Sequence, residues 1–135
     1  KFINLRKIEI QSDIKNLEEE LRESESKISE HIYHELDLIG VTAKLKGRKY
    51  IHDAILYLIQ NENSNINVIQ HLTKIYKKSG NTITNGIQNA IIHAWRVSSI
   101  EDLTTYYTAK VNYETGIPTP MEFIYYYVDK IKKMI

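Results

Sequence analysis

The sequence predicts an all-α protein: an N-terminal coiled-coil helix over residues 1–37, then a compact helical domain over residues 38–135 that contains a helix-turn-helix. Three observations predict it. Only 5 Gly and 2 Pro fall in 135 residues, so long helices meet few interruptions. Residues 1–36 lack both and step their apolar side chains by four and three, the narrow seam of a coiled coil. Further on, two amphipathic stretches, 67–77 and 82–98, are joined by the short polar turn Lys78-Ser79-Gly80-Asn81, the outline of a helix-turn-helix. The 42% hydrophobic content is enough for a core. The absence of Cys excludes a disulfide framework and suits a reducing compartment. No apolar run approaches the ~20 residues of a transmembrane helix, and nothing resembles a signal peptide. The chain opens on Lys1 rather than Met, so an upstream segment is expected.

In the first helix Ile10, Ile14, Leu17, Leu21 and Ile28 carry the seam, with Lys7 in one heptad register and Ile3, Ser24 and His31 in the other. A helix with so narrow an apolar face is marginal alone in water and calls for a partner. Both flanks are strongly charged, which favours a homodimer over folding back on the domain. His31, His34 and Glu35 raise a metal hypothesis, since His31 and His34 are three apart. The order matches no zinc-peptidase pattern, and no third ligand is near in sequence, so solvated or packed histidines are the better reading. His52, His71 and His93 are scattered singly.

Ile39-Gly40-Val41 ends this region, with Gly40 as the stop. Lys44, Lys46, Arg48 and Lys49 cluster around Gly47: a solvated loop, or a phosphate clamp in which Gly47 lets the backbone come close. Tyr50, Ile51, Ala54, Ile55, Leu58 and Ile59 predict a core helix over residues 49–60. Val68, Ile69, Leu72, Ile75 and Tyr76 are the apolar stripe of the next helix, and Lys74, Lys77 and Lys78 sit at its end, where cations suit the helix dipole and can meet phosphate.

The helix over residues 82–98 is the element around which the domain is organised. At 100° per residue Ile83, Ile87, Ala90, Ala94 and Val97 face inward. Thr84, Asn85, Gln88, Asn89, Ile92 and Arg96 face outward, on a surface with no acid and several carboxamides, which can read an adenine edge. On local pattern alone an ordinary surface helix is the better reading, because any antiparallel helix pair looks similar. Ser99 and Asp102 then predict a short helix to about residue 109, and residues 110–118 a loop. Thr119-Pro120-Met121-Glu122 starts a final helix whose stripe is Met121, Ile124, Val128, Ile131 and Ile135. Residues 125–127, all Tyr, are core and rim, with a partner surface as the alternative.

Net charge is uneven. Residues 1–37 hold six basic and ten acidic side chains, residues 38–135 twelve and seven, so only the second part suits phosphate.

Residues 39–131 resemble the C-terminal DNA-binding (effector) domain of the stage-zero sporulation response regulator of endospore-forming Firmicutes. Ile39-Gly40-Val41, Ala43, Lys46-Gly47, Tyr50 and Ala54-Ile55 match its opening helix and loop. Ile75, Lys77-Lys78, Ile87, Ala90-Ile91 and Ala94-Trp95 match its helix-turn-helix, and Pro118-Thr119, Glu122-Phe123-Ile124 and Asp129-Lys130 its closing helix. Three blocks in one order displace the ordinary-helix reading. The resemblance implies an all-α domain whose second motif helix enters the major groove, binding to double-stranded DNA as tandem copies on a short A/T-containing box, and regulation of transcription. It also implies that the segment at residues 99–110 can touch RNA polymerase.

The departures matter as much. The family's recognition helix opens Arg- and Glu-rich and continues with an Arg-His pair; here those positions are Thr82, Thr84 and Asn85, then Gln88 and Asn89, after a shorter turn. An A/T-rich site is therefore expected, with Asn85, Gln88 or Asn89 on adenine and Ile92 on a thymine methyl. Thr82, Thr84, Lys46, Arg48, Lys77, Lys78 and Arg96 would hold the backbone. The coiled coil stands where the family has a phosphorylation-controlled dimerisation module, so constitutive dimers through the N-terminal helix are expected. The alternative is an interaction adaptor that keeps the fold, has lost DNA binding and binds another regulator or polymerase. No catalytic residue, metal site or cofactor is indicated, and an enzyme is not expected. A cytoplasmic, nucleoid-associated protein with no membrane contact is.

Overall fold

The computed structural model describes residues 2–62, 67–109 and 116–135, omitting the side chain of residue 2. The described residues form six helices in the order α1 (Phe2–Leu38), α2 (Gly47–Gln60), α3 (Val68–Tyr76), α4 (Gly80–Val97), α5 (Ile100–Tyr106) and α6 (Pro120–Met134). No strand occurs among them.

Each boundary has a local cause. α1 ends in a Schellman turn: Gly40 takes φ +92°, its N–H donates to Asp37 O at 3.2 Å, and the Val41 N–H donates to Leu36 O at 2.8 Å. The hydrophobic contact that accompanies this turn is supplied by Leu36 and Val41, both fully buried. Asn67, Ser79, Ser99 and Thr119 cap α3 to α6, each accepting from the backbone N–H three residues on. Pro120 stands in the first turn of α6, where its missing N–H costs nothing.

α2 packs against α1, α3, α4 and α6 and is the central helix. The core is Ile32 and Leu36 from the end of α1, Ile39 and Val41 just beyond it, Ile51, Ala54 and Ile55 from α2, Val68 and Leu72 from α3, five residues of α4, Tyr107 after α5, and Phe123, Ile124, Tyr127, Val128 and Ile131 from α6. The C-terminal turns of α1 thus belong to the module, while its first part stands clear, with Ile10, Ile14, Leu17 and Leu21 all at least half exposed. Ile28, placed with them in the seam, is instead half-buried and packs on the core.

α2 and α4 cross at two glycines. A Cβ on Gly47 would lie 2.1 Å from the Gly86 carbonyl oxygen, so the backbones themselves are in contact. Gly47 does permit close approach, but to α4 rather than to phosphate.

Among the described residues Glu35 and His52 are buried, and both tie α1 down. Glu35 pairs with Lys130 of α6 at 2.8 Å. His52 stacks on Tyr33 with ring centroids 4.2 Å apart, and its Nε2 lies 2.9 Å from Ser29 Oγ. Its Nδ1 carries a proton to Asp53 Oδ1 at 2.8 Å, and the other Asp53 oxygen accepts from the Tyr76 hydroxyl. α1, α2 and the last residue of α3 are joined through one carboxylate. Burial pushes the Asp53 carboxyl up, but the bonds from His52 and Tyr76 outweigh it and hold it below its usual value. Burial and the same carboxylate push the Tyr76 phenol well above the ordinary tyrosine range.

Several inward assignments need correction. Val97 is 60% exposed and Ile91 fully buried, because α4 packs on both α2 and α3 and ends at Ser98, whose hydroxyl donates to Ile39 O at 2.8 Å. Ile75 is half exposed, since only Val68 and Leu72 of α3 reach the core. Ile135 is exposed because α6 has ended. Of the three consecutive tyrosines only Tyr125 is open. Tyr127 is buried, and Tyr126 accepts from the Thr108 N–H and donates to Tyr106 O. The final-loop prediction at residues 110–115 lies outside the described residues.

Gly47→Ala should destabilise the fold by about 1–3 kcal/mol, since the clash is with backbone. Gly86→Ala should stay within about 1 kcal/mol of wild type, because its Cβ meets only the Tyr50 ring at 3.0 Å and helix propensity improves. Thermal unfolding of the two variants checks the order; equal losses would contradict the backbone contact. The lowered Asp53 acidity gives a second expectation. Its stabilisation is complete above the usual value of 3.8 and is lost as pH falls through the lower folded value. Urea unfolding from about pH 5 to about pH 2 should therefore show a steeper loss for wild type than for Asp53→Asn.

Candidate nucleic-acid interface

The motif starts from its turn. α3 ends at Lys77, which takes φ 52° and ψ 45°, the left-handed conformation that usually falls to glycine. Lys78 follows, then Ser79, whose Oγ accepts from the Thr82 N–H at 3.1 Å and lies 2.9 Å from the Thr82 hydroxyl. α4 consequently starts at Gly80, two residues earlier than its pattern predicted, and Asn81 joins its first turn.

With Ile83, Ile87, Ala90, Ile91 and Ala94 buried, the opposite side of α4 is open. Asn81, Asn85, Gln88, Ile92 and Arg96 follow one another along its centre at helical spacing. Asn85, Asn89, Thr82 and Arg96 are exposed; Thr84, Gln88 and Ile92 are half-buried. The carboxamides of Asn85, Gln88 and Asn89 bond to no other described residue, so their donors and acceptors are free.

A cleft of about 510 Å³ runs beside α4, between it and the loop that joins α1 to α2. Lys44 and Lys46 stand on one wall, Asn89, His93 and Arg96 on the other, with the two glycines at the base. Residues 41–52 and 67–98, which build this face, contain eight Lys or Arg and no Asp or Glu. The surface can hold an anionic backbone while presenting uncharged groups to whatever lies between.

Arg48, predicted to join this set, is withdrawn from it. Its guanidinium donates to Asp37 and, at 2.7 Å, to Val41 O, and lies 4.6 Å over the Tyr33 ring. α2 begins at Gly47, so Arg48 turns toward α1 while Lys46 remains outside. Lys46, Lys77 and Lys78 are exposed as predicted. His93 was missing from the predicted set, lying one residue beyond the outward row; the loop brings Lys44, named in the basic cluster around Gly47, across to it. The metal hypothesis finds no support in geometry: His34 is exposed and Glu35 is engaged by Lys130. Among the described residues no helix is long and apolar enough to cross a membrane.

Fold and turn together define a helix-turn-helix module. The family described as sporulation initiation factor Spo0A C terminal matches residues 32–131, and the chain belongs to it. The match begins at the first core residue of α1. It is a family of DNA-binding effector domains of sporulation regulators, not an enzyme family.

The left-handed Lys77 carries a cost that glycine would relieve. Lys77→Gly should raise stability by about 0.5–1 kcal/mol while lowering affinity for a DNA duplex, measured by urea unfolding and fluorescence anisotropy. A parallel loss of both would show that the lysine is there for the fold.

Proposed function

We propose that this chain is a sequence-specific transcription regulator that binds an A/T-rich duplex as a homodimer joined through α1. The observation that carries the base-reading part is the row of unpaired carboxamides, Asn85, Gln88 and Asn89, on the acid-free outer face of α4. An Asn or Gln amide meets both the N6 donor and the N7 acceptor of adenine, and the half-buried Ile92 offers apolar contact to a thymine methyl. Lys44, Lys46, Lys77, Lys78 and Arg96 surround the row and hold the phosphates without selecting sequence.

Dimerisation is supported by the apolar seam of α1, whose Ile10, Ile14, Leu17 and Leu21 are all at least half exposed. A regulatory contact with RNA polymerase would fall on α5, where Ile100 is 80% exposed and Glu101 and Asp102 add acid. The adaptor alternative loses part of its footing, since Tyr126 and Tyr127 are engaged within the module.

The test is binding of the full chain to A/T-rich and G/C-rich duplexes at fixed salt. A/T-rich DNA should bind tighter, and Gln88→Ala/Asn89→Ala should remove the preference at a cost of about 1–3 kcal/mol per lost pair. Salt dependence should be shallow, about −0.9 in log–log slope per cation engaged, with Lys78→Ala reducing it by about one unit. Equal affinity for both duplexes would end the base-reading proposal; no binding to either would leave the adaptor.

A further inference from the structure

We propose that two copies of this chain pair antiparallel along α1, crossing between residues 15 and 16, so that the two DNA-binding modules stand at opposite ends of one rod. This rests on reading α1 as the homodimer element and adds its direction.

The seam itself favours that arrangement. Lys7, Ile14, Leu21 and Ile28 hold one heptad position and Ile3, Ile10, Leu17 and Ser24 the other. A parallel pair in register sets each residue on its own copy, which places Lys7 on Lys7 inside the seam. An antiparallel pair sets the first group against the second. In the register centred between residues 15 and 16, Ile14 meets Leu17 of the second copy, Leu21 meets Ile10, and Lys7 meets Ser24. The free apolar groups face one another, and the one charged seam residue faces the one small polar one. Ile3, 72% exposed, comes level with Ile28 of the second copy, at the edge of its module.

Charge selects the same direction. Residues 1–15 carry four basic and two acidic side chains, residues 16–30 two basic and six acidic. A parallel pair lays the acidic half on itself and the basic half on itself. An antiparallel pair lays the basic half along the acidic half at both ends. At 1.5 Å per residue the two Ile32 residues would stand about 50 Å apart along the rod.

The chain has no cysteine, so Ile10→Cys and Leu21→Cys each introduce a single thiol into the full chain. Mixed and oxidised, the two variants should form a disulfide-linked dimer; either alone should not, because its two thiols would lie about 16 Å apart along the axis, beyond the ~7 Å Cα limit of a disulfide. Sedimentation of the wild type should show a dissociation constant that rises several-fold with salt, as opposite charges are screened. Cross-linking within each variant alone, in a sedimenting dimer, would overturn the orientation and leave the dimer standing. A monomer at micromolar concentration would overturn both and give the seam to a different protein, whatever the chain does on DNA.

Discussion

The contact between Gly47 and Gly86 is the constraint on which the rest of the module depends. Helices normally pack 8–10 Å apart through side chains, but here the start of α2 meets the α4 backbone directly. Because α2 also touches α1, α3 and α6, the position of α4 is set through it against the whole module. The cleft with Lys44 and Lys46 on its far wall exists because the loop before Gly47 is drawn over α4 at this point. The attitude of α4 is fixed here by the missing side chain of Gly47, whose Cβ would fall on the Gly86 carbonyl.

A second link acts at the other end of the motif. Ser29 and Tyr33 of α1 hold His52, His52 holds Asp53, and Asp53 holds Tyr76 immediately before the strained Lys77. A polar chain of this kind stabilises only when each member is satisfied, and here each one has its partner. It runs from the projecting helix to the turn of the motif, so the attitude of α1 and that of the turn are set together. On the far side, Trp95, Tyr107, Phe123 and Tyr126 form an aromatic cluster that fastens the segment after α4 to α6.

The all-α fold, the caps at Ser99 and Thr119 and the outward row of α4 could be read from the sequence because each depends on residues within a turn or two. What could not be read depended on elements meeting in space. Arg48 sits among lysines in sequence, yet the start of α2 at Gly47 turns it onto Asp37 and Tyr33. Ile91 is buried because α4 is covered by α2, α3 and α6 rather than by one helix, which widens its inner face beyond a single stripe. The signal for the Gly47–Gly86 crossing was present: an isolated glycine within a helical pattern costs about 1 kcal/mol relative to alanine, and when kept it often marks a close approach. Without a third dimension nothing named the surface it approaches.

α1 continues without a break from the open seam into the core, where Ile32 and Leu36 are sealed by the turn at Gly40. The open and the buried parts of α1 therefore belong to one helix with a shared rotational phase. Lengthening α1 by a single residue would swing the outer face of α4 through about 100° relative to the start of α1 and carry it 1.5 Å outward. Seven more residues would bring it back to within about 20° of its first bearing, roughly 10 Å farther along. Separation and facing cannot be varied independently in such a helix, so it acts as a ruler whose graduations are whole turns.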